Sequence, residues 1–283
     1  MKHVLLLANI DIHSEDLMVY AAAFCQKYLC KLHILKIVQR QEPILFTSAY
    51  YLDQRAIAEY NQEKEIDNKA TLETIAKQTK GLINTDWVSV SFKAGNTEAV
   101  IRKFISDNFI DLVIVSKKLL SKSNPFDDKI KKVLTNVVDL PMLFVPGYQT
   151  FKPIRKVNIF TTHKQEDIDH IVWLKGSFVD IKITATHIVQ KQLFKPKIPK
   201  EKWLDYLQTK MKKKIDYEVI EGNVFDHLKE ESIKETPRYD SFAFTTHKRN
   251  VWQRLWDPST ALNMAAQSEF PTFVFKYKTN NQV

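Results

Sequence analysis

Lys2-His3-Val4-Leu5-Leu6-Leu7-Ala8-Asn9 returns later in the chain as Arg155-Lys156-Val157-Asn158-Ile159-Phe160-Thr161-Thr162. Each copy starts on a basic residue and runs through a mostly apolar stretch to a polar end, the pattern of a buried strand entering a loop. Working outward, Leu32-His33-Ile34 recurs as Thr186-His187-Ile188, and Ala94-Gly95-Asn96 as Glu221-Gly222-Asn223. Asp111-Leu112-Val113-Ile114-Val115-Ser116 recurs as Asp240-Ser241-Phe242-Ala243-Phe244-Thr245, and Pro141-Met142-Leu143-Phe144-Val145 as Pro271-Thr272-Phe273-Val274-Phe275. The first two matches lie 153 and 154 residues apart and the later ones 127 to 130. The first copy therefore holds about 26 additional residues within 39–81, read as a longer helix.

Short apolar strands alternate with amphipathic helices in each copy. In the first, strands are expected over 4–9, 31–38, 87–92, 111–116 and 141–145. Helices are expected over 15–30, 53–80, 97–108 and 128–138. Such alternation predicts an α/β architecture of two doubly wound parallel five-stranded sheets. The turn-rich stretch Pro146-Gly147-Tyr148-Gln149-Thr150 marks the boundary, giving domains 1–148 and 149–283 of ordinary size. A composition of 44% hydrophobic and 27% charged residues over 283 positions excludes a disordered or fibrous chain.

The order of these features resembles the universal stress protein family: an apolar first strand, an Ala-rich helix, a Gly-Asn turn, an Asp-led fourth strand and a Pro-led fifth. The resemblance spans nearly the whole chain as a tandem pair. It implies the adenine-nucleotide alpha-hydrolase-like fold with strand order 3-2-1-4-5 in each half. It also implies a nucleotide cleft where strands one and four diverge, and pairing of the two domains through their fifth strands as a pseudo-twofold dimer in one chain. Association of two chains into a homodimer stays open at this point.

Nucleotide-binding members of that family carry a Gly-x2-Gly-x9-Gly-Ser/Thr loop after strand four and an Asp at the end of strand one. Such glycines let backbone N–H groups approach phosphates at a helix N-terminus. This chain has five glycines in all, with none between Gly95 and Gly147 and none after Gly222. Ser116 and Thr245 stand where the first glycine would, Asp127-Asp128 and Asp257-Pro258 lie at the expected helix starts, and Asn9 and Thr162 replace the strand-one Asp. ATP binding by the backbone mode is therefore not expected, and no cofactor is assigned. A nucleotide held by side chains is the rival reading, with Ser116, Lys117 and Lys118 as its contacts.

Thr161-Thr162-His163-Lys164 follows the second copy's first strand, and Thr245-Thr246-His247-Lys248 its fourth. In the implied sheet order both segments leave the carboxyl edge at the switch point, where α/β proteins bind ligands. Thr162, His163, Thr246 and His247 thus form a candidate small-ligand site, with no metal assigned. His33 and His187 fall at matching strand positions and are read as structural. Trp252 and Trp256 share a helical face and are read as packing.

The formal charge is +9, with nine lysines from 191 to 214 against Glu201 and Asp205. That segment lacks arginine to read bases, so it is read as a solvated helix and nucleic acid is not an expected partner. No nucleophile elbow, Walker loop or redox Cys-x-x-Cys is present, so catalysis is not expected. Cys25 and Cys30 are read as buried free thiols. No export signal or membrane-spanning stretch is seen, which suggests the cytoplasm. The reading is a non-catalytic binding or interaction protein of stress adaptation with degenerate nucleotide sites; the alternative is a stress sensor for a small ligand or for ATP or AMP.

Overall fold

The computed structural model describes residues 1–7, 14–38, 87–117, 138–147, 149–178, 180–189, 198–212, 215–246 and 268–276, with single positions between 59 and 77 and Ala265. The first half contains β1 (His3–Leu7), α1 (Ser14–Tyr28), β2 (Lys31–Val38), β3 (Val88–Ala94), α2 (Thr97–Asp107), β4 (Leu112–Ser116) and β5 (Met142–Val145). The second contains β6 (Lys156–Thr161), α3 (Gln165–Ser177), β7 (Lys182–Val189), α4 (Lys200–Met211), β8 (Asp216–Glu221), α5 (Val224–Ser232), β9 (Ser241–Thr246) and β10 (Thr272–Lys276). Of the helix expected over 53–80, Glu59, Glu63, Ile66, Lys69, Glu73 and Lys77 are among the described residues and are helical. The helix expected over 128–138 lies outside the described residues except Val138, which is not helical.

The strands form one sheet in the order β3-β2-β1-β4-β5-β10-β9-β6-β7-β8. Each half has the order 3-2-1-4-5 and parallel neighbours; among the described residues the single antiparallel pair is β5 with β10, where Leu143 faces Phe273. The two expected sheets are thus joined edge to edge into one of ten strands.

Repeated residues do repeated work. Asp111 Oδ2 accepts from the backbone N–H of Lys2 and His3 at 2.6 and 3.0 Å, and Asp240 Oδ2 accepts from those of Arg155 and Lys156 at 2.8 Å each. Each Asp ties the start of its half's fourth strand to that of its first. Gly95 and Gly222 hold φ of +139° and +125°, conformations closed to L side chains. The next residue in each case, Asn96 or Asn223, caps the following helix by accepting from the N–H of Ala99 or Phe225.

The histidine match is corrected. Leu5 pairs with His33, and its counterpart Asn158 pairs with Thr184. His33 therefore corresponds to Thr184, and His187 to Lys36, so the tripeptide match was three residues out of register. An odd shift reverses the face. His33 lies against Phe104 of α2, whereas His187 stacks on His163, whose ring meets Trp203 of α4.

Glycine scarcity shows at the helix ends. Leu29 and Phe109 take left-handed φ of 53° and 51°. The N–H groups of Cys30 and Ile110 then reach back to the carbonyls of Cys25 and Ile105, the six-to-one closure usually built on glycine. Cys25 and Cys30 are free and buried.

One apolar layer covers both halves. Phe24 and Tyr28 of α1 meet Phe178, after α3, at ring distances of 6.0 and 4.8 Å, and Phe178 meets Phe273 of β10 at 5.5 Å. Burying each such ring contributes roughly 1.5–3 kcal/mol, so the layer couples the halves through side chains as well as strands. The opposite face carries separate clusters under α2 and α5.

Candidate functional site

Strands β6 and β9 pair from Val157–Ser241 to Ile159–Ala243 and separate beyond. Helix α3 bridges the two strand ends there, through Asp167 on β6 and His170 on β9. Asp167, fully buried in the first turn, accepts through Oδ2 from the hydroxyl of Thr161 at 2.8 Å and from the backbone N–H of Thr162 and Lys164 at 2.9 and 3.1 Å. The bond from Lys164 is the backward half of a capping box, which is why an Asp three residues after the N-cap suits this helix. Burial pushes the Asp167 carboxyl above its usual range; hydrogen bonds from Thr162, Lys164, Thr161 and Thr245 oppose that rise. One turn on, His170 Nδ1 lies 3.0 Å from the hydroxyl of Thr245 on β9, and its ring stacks on Phe275 at 4.5 Å. A carboxylate of the chain's own thus takes the N–H donors at the switch point, where a ligand anion would otherwise bind.

His163 does not face this cleft. With φ of 57° it turns over β7 toward β8, where Nε2 lies 2.8 Å from the Tyr217 hydroxyl and the ring stacks on His187 at 4.3 Å. His187 Nδ1 donates to the carbonyl of Thr161 at 3.0 Å, and Trp203 Nε1 donates to that of Lys164 at 2.9 Å. Burial lowers the pKa of His163 to about 4, with His187 and Lys200 adding to the effect and Glu201 opposing it. The ring is therefore neutral at physiological pH. Among the described residues its Nδ1 and the buried hydroxyl of Thr162 have no hydrogen-bond partner.

In the first half Ser116 ends β4, but Lys117 leaves the cleft. Its Nζ donates to the carbonyls of Ser268 and Phe270 at 2.6 and 2.5 Å and to the Thr272 hydroxyl at 3.2 Å, all in the second half. Burial holds its ammonium well below the usual lysine range, with Glu269 opposing.

No family model matches the sequence, and no curated relative matches it. A universal stress protein from Archaeoglobus fulgidus DSM 4304 matches in structure with a TM-score of 0.64 at 13% identity, over 99% of this chain and 97% of that one. A candidate universal stress protein from Pseudomonas aeruginosa UCBPP-PA14 matches with 0.51 at 13% identity, over 98% and 93%. The chain has the tandem universal stress protein fold.

Within that fold, structure brings together Thr161, Thr162, Asp167, His170 and Thr245, and sends His163 and Lys117 elsewhere. Sequence reasoning missed Asp167 and His170. The available signal was an acidic residue at the third position of a helix that begins at the switch point. Asn9, Lys118 and His247 lie outside the described residues, as do Asp127, Asp128, Asp257, Pro258, Trp252 and Trp256; of Thr246 only the backbone is described. In the lysine-rich segment, Lys210 pairs with Asp169 at 2.6 Å and Lys200 lies over the Tyr217 ring at 5.0 Å. No helix among the described residues is long and apolar enough to cross a membrane.

Proposed function

We propose that this chain is a two-unit protein of the universal stress type, with domains 1–148 and 149–283, which acts in stress adaptation by binding or interaction rather than catalysis. In this reading its place is the cytoplasm, and it does not bind ATP by the glycine-loop mode. The observation that carries the reading is the Asp167 carboxylate seated on the N–H groups of Thr162 and Lys164. A phosphate entering there would displace a buried carboxylate or be repelled by it. The withdrawal of Lys117 into the junction between the halves supports the same reading for the first cleft. The β5–β10 pair lets one chain do what two paired chains would do in a dimer.

Calorimetric titration and thermal shift with ATP, AMP and cyclic AMP test this. No shift is expected, whereas stabilisation by micromolar ATP overturns the reading, because a ligand that binds only the folded state must raise its stability.

A second reading keeps a small polar ligand at the second-half edge, and the buried Thr162 hydroxyl, unpartnered among the described residues, favours it. Its test is a metabolite screen in which Thr162→Ala abolishes any stabilisation seen with the wild type and His163→Ala, on the far side of β6, does not.

A further inference from the structure

Helix α4 is held by little of its own. Its N-cap, Pro199, makes no side-chain hydrogen bond to the first turn, and the helix ends on Lys212 in a left-handed conformation, where glycine is the usual residue. With 12 residues it has the length at which an isolated helix is marginal in water. Among its described residues only Trp203 and Leu207 are buried, and the Lys210–Asp169 pair is half exposed and contributes little. The place of α4 therefore depends on what its two buried side chains rest on.

Trp203 lies against His163, at a ring distance of 5.3 Å, and its Nε1 donates to the carbonyl of the next residue, Lys164. The His163 ring, 2% exposed, is confined from several sides. Strand β7 presents His187, stacked on it at 4.3 Å, and β8 presents the Tyr217 hydroxyl, 2.8 Å from Nε2. Helix α4 presents Lys200 and Glu201, of which only Glu201 favours a cation here. Helix α3 presents Asp167, whose Oδ2 already accepts from Thr161, Thr162 and Lys164. Among the described residues Nδ1 has no hydrogen-bond partner, so a protonated ring would keep a buried N–H unbonded.

We propose that His163 is an acid-sensitive latch for α4: protonation of its ring releases the helix while the rest of the chain stays folded. The released element carries Lys200, Lys202, Lys210 and Lys212, and Lys210 parts from Asp169. Burial lowers His163 to about 4, with His187 and Lys200 adding to the effect and Glu201 opposing it. Once α4 has left, the ring is in water and titrates near 6.5, so the released form holds more protons and gains population as pH falls from about 6.5 to 4. From pH 7 to 4.5 the docking equilibrium should shift on the order of a hundredfold. Single elements commonly open below the global free energy when few side chains hold them. Helix α1, which buries Met18, Tyr20, Phe24 and Cys25, is the internal reference that opens only with the whole chain. The other two buried histidines of lowered pKa act elsewhere, His33 against α2 and His227 on α5.

Hydrogen exchange of the full chain tests this, read by mass spectrometry from pH 7 to 4.5 and corrected for the intrinsic rate at each pH. Protection of 200–211 should fall by about tenfold or more beyond any fall in 14–28. In His163→Phe, which keeps a flat ring that takes no proton, that excess should vanish. The proposal is overturned if α4 keeps its protection in the wild type, if it loses no more than α1 loses, or if His163→Phe shows the wild-type excess. Should His163→Phe not fold, His163→Asn decides on the same readout, since asparagine tolerates the left-handed backbone and carries no titrating group.

Discussion

Lys117 of the first half donates from Nζ to the main-chain carbonyl of Ser268 in the second, 151 residues away, at 2.6 Å. Two more oxygens complete its shell, and none of the three is a carboxylate. A buried cation held by neutral acceptors trades a desolvation cost against charge-assisted hydrogen bonds, each contributing about 1.5–3 kcal/mol. With three such bonds the attraction prevails. Lys117→Met should therefore lower stability by about 1–2 kcal/mol, read as a lower urea midpoint at unchanged slope. A higher midpoint would mean that desolvation dominates.

Three buried histidines, His33, His163 and His227, contribute to the response to acid, and burial lowers each of them. Burial lowers His163 and His33 to about 4 each, with His187 and Lys200 contributing for the first and His3 and Lys31 for the second. Unfolded histidine titrates near 6.5, so between about 6.5 and 4 the unfolded chain holds more protons and stability falls as pH falls. Above about 6.5 neither ring matters. Each contributes roughly 2–3 kcal/mol across the window, at 1.36 kcal/mol per pKa unit. Urea midpoints measured from pH 7 to 4.5 should decline, and His163→Phe should make that decline shallower.

The fold was legible because it depends on patterns that repeat: apolar strands, Gly-Asn turns, and Asp111 and Asp240 in the same structural role. The register of β2 against β7 was not, because a three-letter match around His33 and His187 outweighed the spacing set by strand pairing. The site was legible only as an edge. Which side chains turn into it depends on backbone geometry that residue types do not encode, such as the left-handed His163. It also depends on helix α3 supplying Asp167 from a capping position that reads as local chemistry.

Phe109 is 81% exposed and left-handed at the end of α2. A side chain in that conformation costs about 1–2 kcal/mol, partly offset in glycine by the greater freedom of the unfolded chain. Phe109→Gly should therefore raise stability by about 0.5–1 kcal/mol, seen as a higher thermal midpoint, while also removing an exposed ring. No gain would mean that Phe109 makes contacts that offset its strain.

Phe178 is where the two halves share one core, since its ring meets Phe24 and Tyr28 on one side and Trp173 and Phe273 on the other. Phe178→Ala should cost about 3–5 kcal/mol. If the halves are coupled as this layer implies, the wild type melts in one calorimetric transition with matching calorimetric and van't Hoff enthalpies. Two resolved transitions in the wild type would show that the halves unfold independently despite the shared layer.

The Asp167 carboxylate holds the backbone donors of Thr162 and Lys164, so removing it should leave an anion site behind. Asp167→Ala strands two N–H groups and the Thr161 hydroxyl, and the loss of stability should be about 2–4 kcal/mol in phosphate-free buffer. Phosphate or sulfate at millimolar concentration should then recover part of that loss in the variant and give no such gain in the wild type. Asp167→Asn, which keeps an acceptor in place, should fall between the two and respond less to anions. The decisive measurement is the difference in thermal midpoint with and without phosphate across the three proteins. Equal shifts in all three would mean that the donors under Asp167 are not an anion site, and that the cleft is closed to phosphate by packing rather than by its own carboxylate.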